Sequence, residues 1–583
     1  MGVGGNFWEM VKPYGRREGF DYLRNKRVAV DLSYWILQHQ TAATHTPNPH
    51  LRLTFFRTIN LFSKFGAFPV FVTDGTPSPL KSQARILRFF RSSGIHLPLP
   101  DTSSAAAVVV ERNQHFLKCV QECVELVELF GMPVLKASGE AEGLCAQLNK
   151  QGRVDACITS DSDAFLFGAT CIIKRLIPNS QEPFEFYLMS DIEAGLGLKR
   201  NHLIAIALLV GNDFHLKGVQ GIGLQTALAF VKSFHQDEVL HRLCQLGGGT
   251  GNTPTNKPDD PILKTSSPHC SLCGHPGSKR SHSKDSCQRC TSAGHEGCLQ
   301  KPIGFRCDCS SCDQGKKEKE HKKNEAWKMR VCKKIATEPN FPNNEIIQIY
   351  LNNYHTNFTD AEPFISWKSP NTEMLIDYVA FKLNWEPSFI RQKLFPLLST
   401  IFLRKTAKNQ ETDLLYGQYE FDCIQRTKIR FGHTFYLVSW KKSTQTVNNN
   451  IYTTPSKEAE DYDGLVDIFD EADVTNVHID DGCLMTDENM DLVMAAYPEK
   501  VDQFMQQKEH KESKSRKKAK ATPEDSSSPT SRSVQLNITQ FFRSSKGETY
   551  EKIKDDDGFP VAKRNAAGST KFSKSARRRL LLE

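Results

Sequence analysis

Acidic side chains recur in this 583-residue chain at points where the backbone changes course. The segment SGEAEGLCAQLNKQGRVDACITSDSDAFLFG, residues 138–168, places Glu140 and Glu142 ahead of an amphipathic run and Asp161 and Asp163 just beyond an apolar one. Residues two apart on a helix lie on different faces, so each pair belongs at a helix start or a strand end. RVAVD (27–31) ends in Asp31, PVFVTD (69–74) ends in Asp74, and the helical run LIAIALLVG leads to Asp213.

If those strand ends share one edge of a parallel sheet, all seven carboxylates converge where open α/β folds place their ligands. Clustered anions raise one another's pKa values and need cations to be tolerable. Oxygen-only ligands select hard ions, chiefly Mg²⁺ with Mn²⁺ as a substitute. Two such ions about 4 Å apart suit in-line displacement at phosphorus, so the expected substrate is a phosphodiester. A lone D-x-D in a loop is more often a turn or cap. Several acidic sites at consistent sheet positions favour the metal centre instead.

Two features suit nucleic acid. LKSQARILRFFR (80–91) carries Lys81, Arg85, Arg88 and Arg91 at helical spacing, either a cationic face near the metals or a solvated basic helix. GVQGIGLQTALAFVKSF (218–234) is a glycine turn, with Gly221 and Gly223, opening a helix whose free amides can hold a backbone phosphate.

The elements that must position these groups are legible as periodicity. Over residues 1–235, short β-branched runs alternate with amphipathic stretches, which reads as α/β with a parallel sheet. We divide this into an N-terminal region, 1–100, and an internal region, 101–235. A Gly/Pro/Asn linker spans 236–265, and a cysteine-rich insertion fills 266–312. Helical periodicity over 313–410 is expected to complete the domain. A small antiparallel β segment is expected at 411–445, and a disordered tail from 446 to 583.

Composition narrows the class. The content of 39% hydrophobic residues supports a globular body, and the net charge of +8 is concentrated in runs such as KKEKEHKKNEAWKMRVCKK (316–334) and SKSRKKAK (513–520). Such runs fit a polyanionic partner or a solvated surface. The apolar run LIAIALLV is too short to span a bilayer, and no secretory signal pattern is present, so a membrane partner is not expected. Seventeen cysteines in such a chain should be thiols or metal ligands rather than disulfides.

Eight of them lie in the insertion: Cys270, Cys273, Cys287, Cys290, Cys298, Cys307, Cys309 and Cys312, with His275, His282 and His295 as spare ligands. Paired C-x-x-C spacings signal zinc. We expect two structural, tetrahedral, cysteine-saturated sites, with the pairing open.

The combination VAVDLSYW, VTDGTPSPLKSQAR, GEAEGLCAQL, ITSDSDAFLFG and LLVGNDF followed by GVQGIG resembles the XPG/flap endonuclease family of structure-selective nucleases. That resemblance implies two Mg²⁺ ions held by Asp31, Asp74, Glu140, Glu142, Asp161, Asp163 and Asp213. It also implies contact of Lys81 and Arg88 with the scissile phosphate. Gly221 to Gly223 would lie in a helix-two-turn-helix element that grips duplex backbone with a monovalent cation. The short connection after Arg91 and the later aromatic segment look most like the GEN subgroup of Holliday-junction resolvases, and the cysteine insertion is similar to its plant members. The implied activity is nicking of branched DNA in the nucleus, with a homodimer acting on four-way junctions. The alternatives are a flap or bubble endonuclease of excision repair and a non-catalytic zinc and chromodomain adaptor of chromatin.

Two shorter resemblances complete the reading. QYEFDCIQRTKIRFGHTFYLVSWKK (418–442) resembles the first strands of a chromodomain, with Tyr419 and Trp440 at two aromatic-cage positions and Ser443 where a third aromatic belongs. This implies DNA contact or plain sheet packing more than methyl-lysine recognition. QLNITQFF (535–542) is similar to peptides that dock on the sliding clamp PCNA, with Gln535, Ile538, Phe541 and Phe542 as the contacts.

Overall fold

Seven short strands build the main sheet: β1 (Gly15–Glu18), β2 (Arg27–Asp31), β3 (Phe68–Thr73), β4 (Val134–Lys136), β5 (Ala156–Ile158), β6 (Cys171–Leu176) and β7 (Phe184–Leu188). Their spatial order is β1-β7-β6-β5-β2-β3-β4. The run from β4 to β6 is parallel throughout, and antiparallel β7 and β1 close one side. This is the expected mixed α/β architecture with a largely parallel sheet. The computed structural model describes residues 2–520 except 5, 38–47, 77–79, 82–102, 177–181, 216, 248–267, 286, 295, 352–364, 410–413, 431–432, 444–477 and 481–482. Arg85, Arg88, Arg91, His295 and the clamp-motif residues Gln535, Ile538, Phe541 and Phe542 lie outside the described residues.

Both faces of the sheet are covered, which is why its strands read as continuous apolar runs. Val28, Val30 and Phe71 pack on one side with Trp35, Phe55 and Phe130. Ala29, Val70 and Val72 pack on the other with Leu144, Phe165 and Leu203. Each such side chain contributes about 1.5–3 kcal/mol on full burial. Phe71→Ala would therefore cost about 3–5 kcal/mol and loosen the strand that carries Asp74.

Helices join the strands: α1 (Leu32–Leu37), α2 (Pro49–Ile59), α3 (Ser103–Leu129), α4 (Ala141–Lys150), α5 (Asp163–Phe167), α6 (Arg200–Val210) and α7 (Leu224–Val231). Beyond the cysteine-rich stretch come α8 (Ser310–Thr337), α9 (Asn344–Leu351), α10 (Thr372–Leu383) and α11 (Pro387–Asn409). Val331 and Ile335 of α8 and Ile346, Ile347 and Tyr350 of α9 join the same core as Ala29 and Val70. The chain thus returns to the α/β body after the insertion. No described helix is long and apolar enough to cross a membrane.

A second, antiparallel sheet has the order β10-β11-β9-β8, formed by β8 (Tyr419–Arg430), β9 (His433–Lys442), β10 (His478–Asp480) and β11 (Cys483–Asn489). Helices α12 (Met490–Ala496) and α13 (Pro498–Lys520) follow. The expectation of a disordered tail from residue 446 is corrected here, because β10, β11 and α12 fold into this body. The reason is local: β11 buries Leu484, Thr486 and Glu488 alternately, so two of its three inward residues are polar and no hydrophobic alternation marks it. Trp440 is fully buried, its Nε1 donating to Thr486 Oγ1 at 2.8 Å, with Phe402 and Phe421 against its ring. It is a packing residue and offers no face to a ligand. The chain's second unit, Glu512–Glu583, is described only as far as Lys520.

Candidate metal centre

The carboxyl ends of β2, β3 and β5 lie together, since Asp31 is in register with Val72 and Asp74 follows two residues later. Asp31 Oδ1 accepts from the Tyr34 amide at 3.0 Å, and its Oδ2 accepts from Thr159 Oγ1 at 3.1 Å across the sheet. Asp74 Oδ1 accepts from the Ala141 amide at 2.9 Å, and Oδ2 from Ser33 Oγ at 2.6 Å. Asp74 is thereby tied to the first turn of α4. Glu140 caps that helix and Glu142 sits in the same turn, where the helix dipole favours anions. Single ligand oxygens of Asp74, Glu140 and Glu142 come within 4.8 Å of one another.

The remaining acids complete the ring. Asp161 Oδ1 accepts from the Asp163 amide at 2.9 Å, which turns both carboxylates out of the β5 end. Asp213 Oδ1 accepts from the Gly2 amide at 3.2 Å. Gly2 adopts φ +93°, and a Cβ there would stand 2.3 Å from Asp161 Oδ1, so the chain's start fits only as glycine. Asp31, Glu140, Glu142, Asp161, Asp163 and Asp213 are all buried. Among the sequence-predicted cations, the structure brings Lys81 into this cluster, where its ammonium pairs with Glu140 and donates to Glu142 Oε1 at 3.4 Å.

Burial without full compensation perturbs these groups. Desolvation first, then the charge of Asp74, pushes Asp31 up to about 7. Desolvation likewise raises Glu142, Asp161 and Asp163, with neighbouring carboxylates adding to each. Burial works against the Lys81 charge, but Glu142 and Glu140 outweigh it and hold the ammonium protonated. Glu140 Oε1 and Asp163 Oδ1 are buried with no hydrogen-bond partner. Orphaned carboxylate oxygens in an oxygen-only pocket fit a hard divalent cation, which would lower the pKa values that burial has raised.

One contributor escaped the sequence reading. The hydroxyl of Tyr350, on α9, donates to Asp163 Oδ2 at 2.8 Å. In the sequence Tyr350 shows only as one more apolar-face residue of NEIIQIYLNNY, so periodicity alone assigns it to the core.

The glycine turn stands where α6 leads into α7. Gly221 takes φ +74° and Gly223 is the extended residue that caps α7. The turn is clasped by the far end of α8: Lys334 Nζ donates to the Gly221 carbonyl at 2.8 Å, and Glu338 Oε2 accepts from the Gln220 amide at 3.0 Å. At its near end, α8 begins within the cysteine-rich stretch, with Cys309 as its cap. There the eight cysteines do not stand alone, because His269, His275 and His282 lie among them. His269 was not singled out by spacing, since it lies outside every C-x-x-C pair.

Fold and site together define an open α/β nuclease body with an acidic, oxygen-rich centre at the carboxyl edge of its sheet. Comparison with known proteins makes this specific. The XPG N-terminal domain matches residues 1–94 and the XPG I-region matches residues 131–213. The chain is 50% identical to flap endonuclease GEN-like 1 of Arabidopsis thaliana and 48% identical to that of Oryza sativa subsp. japonica, each over all of both chains. A solved structure of human GEN1 in complex with Holliday junction DNA covers 88% of this chain and all of its own, at TM-score 0.56 and 24% identity, and shares the fold. The chain belongs to the XPG family, among its plant GEN-like members.

Proposed function

We propose that this protein is a Mg²⁺-dependent, structure-selective DNA endonuclease that cuts branched DNA, four-way junctions foremost and 5′ flaps in addition. The observation that carries this reading is the convergence of six buried carboxylates and Asp74 on one sheet edge, with two of their oxygens orphaned. The names of its relatives, flap endonucleases of the GEN type, point the same way.

Asp74, Glu140 and Glu142 are the residues that would hold one ion, and Asp31, Asp161, Asp163 and Asp213 the residues available to a second. When bound, two such ions neutralise the phosphodiester's charge and activate a water for in-line attack. The chain's own groups prepare the site. Ser33, Thr159 and the Tyr34 and Ala141 amides aim Asp31 and Asp74, Tyr350 aims Asp163, and Lys81 supplies fixed positive charge. Arg88 stands with Lys81 as a scissile-phosphate contact, and Arg85 and Arg91 as further DNA contacts. The amides at the start of α7, with Gly221 and Gly223, hold duplex backbone at a distance from the cut. Zn²⁺ is the structural ion of the cysteine-rich module. The protein acts in the nucleus, as a homodimer on four-way junctions, with QLNITQFF recruiting the sliding clamp PCNA.

The test gives purified protein a fixed four-way junction and a 5′ flap under matched Mg²⁺ and salt. Paired symmetric nicks on the junction are expected. Flap cutting with an untouched junction would transfer the protein to excision repair, and cutting of neither would leave a DNA-binding adaptor.

A further inference from the structure

We infer that the cysteine-rich module holds three zinc ions, two of which share the sulfur of Cys273. This rests on reading the module as a zinc fold, and deepens it. The donors fall into three sets of four: His269 with Cys307, Cys309 and Cys312; Cys270 and Cys273 with His282 and Cys298; and Cys273 again with His275, Cys287 and Cys290.

The separations match four-coordinate zinc. With Zn–S of about 2.3 Å and Zn–N of about 2.0 Å, a tetrahedron has S···N edges of about 3.5 Å and S···S edges of about 3.8 Å. His269 Nε2 lies 3.3 Å from both Cys309 Sγ and Cys312 Sγ. His282 Nδ1 lies 3.6 Å from Cys273 Sγ and from Cys298 Sγ. His275 Nδ1 lies 3.5 Å from Cys287 Sγ and 3.4 Å from Cys290 Sγ, and Cys273 Sγ stands 4.0 Å from Cys287 Sγ. The other ring nitrogen of His282 is 2.7 Å from the Pro276 carbonyl. That bond puts the proton on Nε2 and leaves the Nδ1 lone pair facing the thiols, the usual second partner of a metal-bound imidazole.

Two ions would not suffice. Three four-ligand sites need twelve donor positions, and the eleven donor residues fill them only because Cys273 belongs to two sets. With two ions, at least three closely grouped cysteine and histidine donors of one set would be left with no metal. Apolar packing gives the module little support: among the described residues its buried cluster is made of Cys270, Cys273, Cys287 and Cys290, with Cys298 against them. A polar segment with a core of sulfur folds on its metal. Charge agrees, since three divalent ions offset eight thiolates far better than two do; the thiol protons leave to solvent.

Native mass spectrometry of the full chain, zinc-loaded and freed of Mg²⁺, tests this. An Asp74→Asn, Glu140→Gln, Asp161→Asn, Asp163→Asn background removes ligands of both ions of the acidic centre, so that zinc is counted in the cysteine-rich module alone. Three zinc ions per chain are expected, falling to two in Cys309→Ser and to one in Cys273→Ser. No bound zinc would overturn the zinc-module reading itself. Two ions in the parent would overturn the three-ion inference while leaving that reading intact. Three ions with equal losses in the two variants would overturn the shared sulfur.

Discussion

Tyr350→Phe removes one hydroxyl from the acidic centre and leaves its packing in place. The ring is wholly buried against Phe167 and Phe214, at centroid distances of 5.2 and 5.5 Å, contacts that phenylalanine keeps. What disappears is the 2.8 Å hydrogen bond to Asp163 Oδ2. Because Asp163 Oδ1 has no partner in the buried site, that carboxylate loses its side-chain donor and the orientation it enforces. Burial, then the charge of Asp163, raises the Tyr350 hydroxyl well above its ordinary pKa, so it remains a donor throughout the neutral range. A hydrogen bond to a charged group is worth about 1.5–3 kcal/mol, which at about 1.36 kcal/mol per decade is roughly a 10- to 150-fold loss of rate. The assay is single-turnover nicking of a four-way junction at saturating enzyme, with junction affinity measured in the absence of Mg²⁺. Rate should fall by that factor while affinity holds within about twofold, since backbone contacts lie elsewhere. A rate within about threefold of the parent, in a variant of unchanged circular dichroism, would refute the positioning role.

Asp74→Asn or Glu140→Gln should each reduce nicking by at least about a hundredfold while junction binding persists in gel shift, because these carboxylates act on the reacting centre and not on the backbone grip. Glu488 is fully buried and pushed up to about 7 by desolvation, against the donors Ser399, Thr486 and Thr400. Its proton is held more tightly in the folded state, so its stabilising contribution is complete below about pH 4.5 and is lost as pH rises through about 7, some 3 kcal/mol in all. Hydrogen exchange in β11, corrected for intrinsic rate, should show protection falling from pH 5 to 8 in the parent and a flat profile in Glu488→Gln. Finally, Phe541→Ala with Phe542→Ala should abolish calorimetric binding of the tail peptide to PCNA and leave cleavage of naked junctions unchanged; equal affinities would dismiss the clamp motif.

The acidic centre was legible because its parts are local signals. Asp31, Asp74 and Asp161 each end or follow a short apolar strand, and Glu140 opens a helix, so strand ends and caps could be read in runs of five to ten residues. The glycine turn and the C-x-x-C pairs are equally local. The strands β10 and β11 were not legible, because the inward positions of β11 include Thr486 and Glu488, whose burial depends on hydroxyls of α11 and on Trp440. Composition there describes a solvated segment, and only the partners make it a strand.

By itself, then, the chain's order of residues determined which side chains could do chemistry and on which edge of which kind of sheet they would stand, since strand and helix periods follow from backbone geometry. Tertiary structure decided who assists them. Tyr350 meets Asp163 across 187 residues of chain, Lys334 reaches Gly221 across 113, and His269 joins Cys309 and Cys312 from 40 and 43 residues away. Such pairs leave no periodic trace, because nothing in the spacing of one element specifies the residue of another that packs against it. The first two arise when α8 and α9 bury Val331, Ile335, Ile346 and Ile347 against the sheet's core, which carries Lys334 and Tyr350 to their partners; the third arises within the cysteine-rich module.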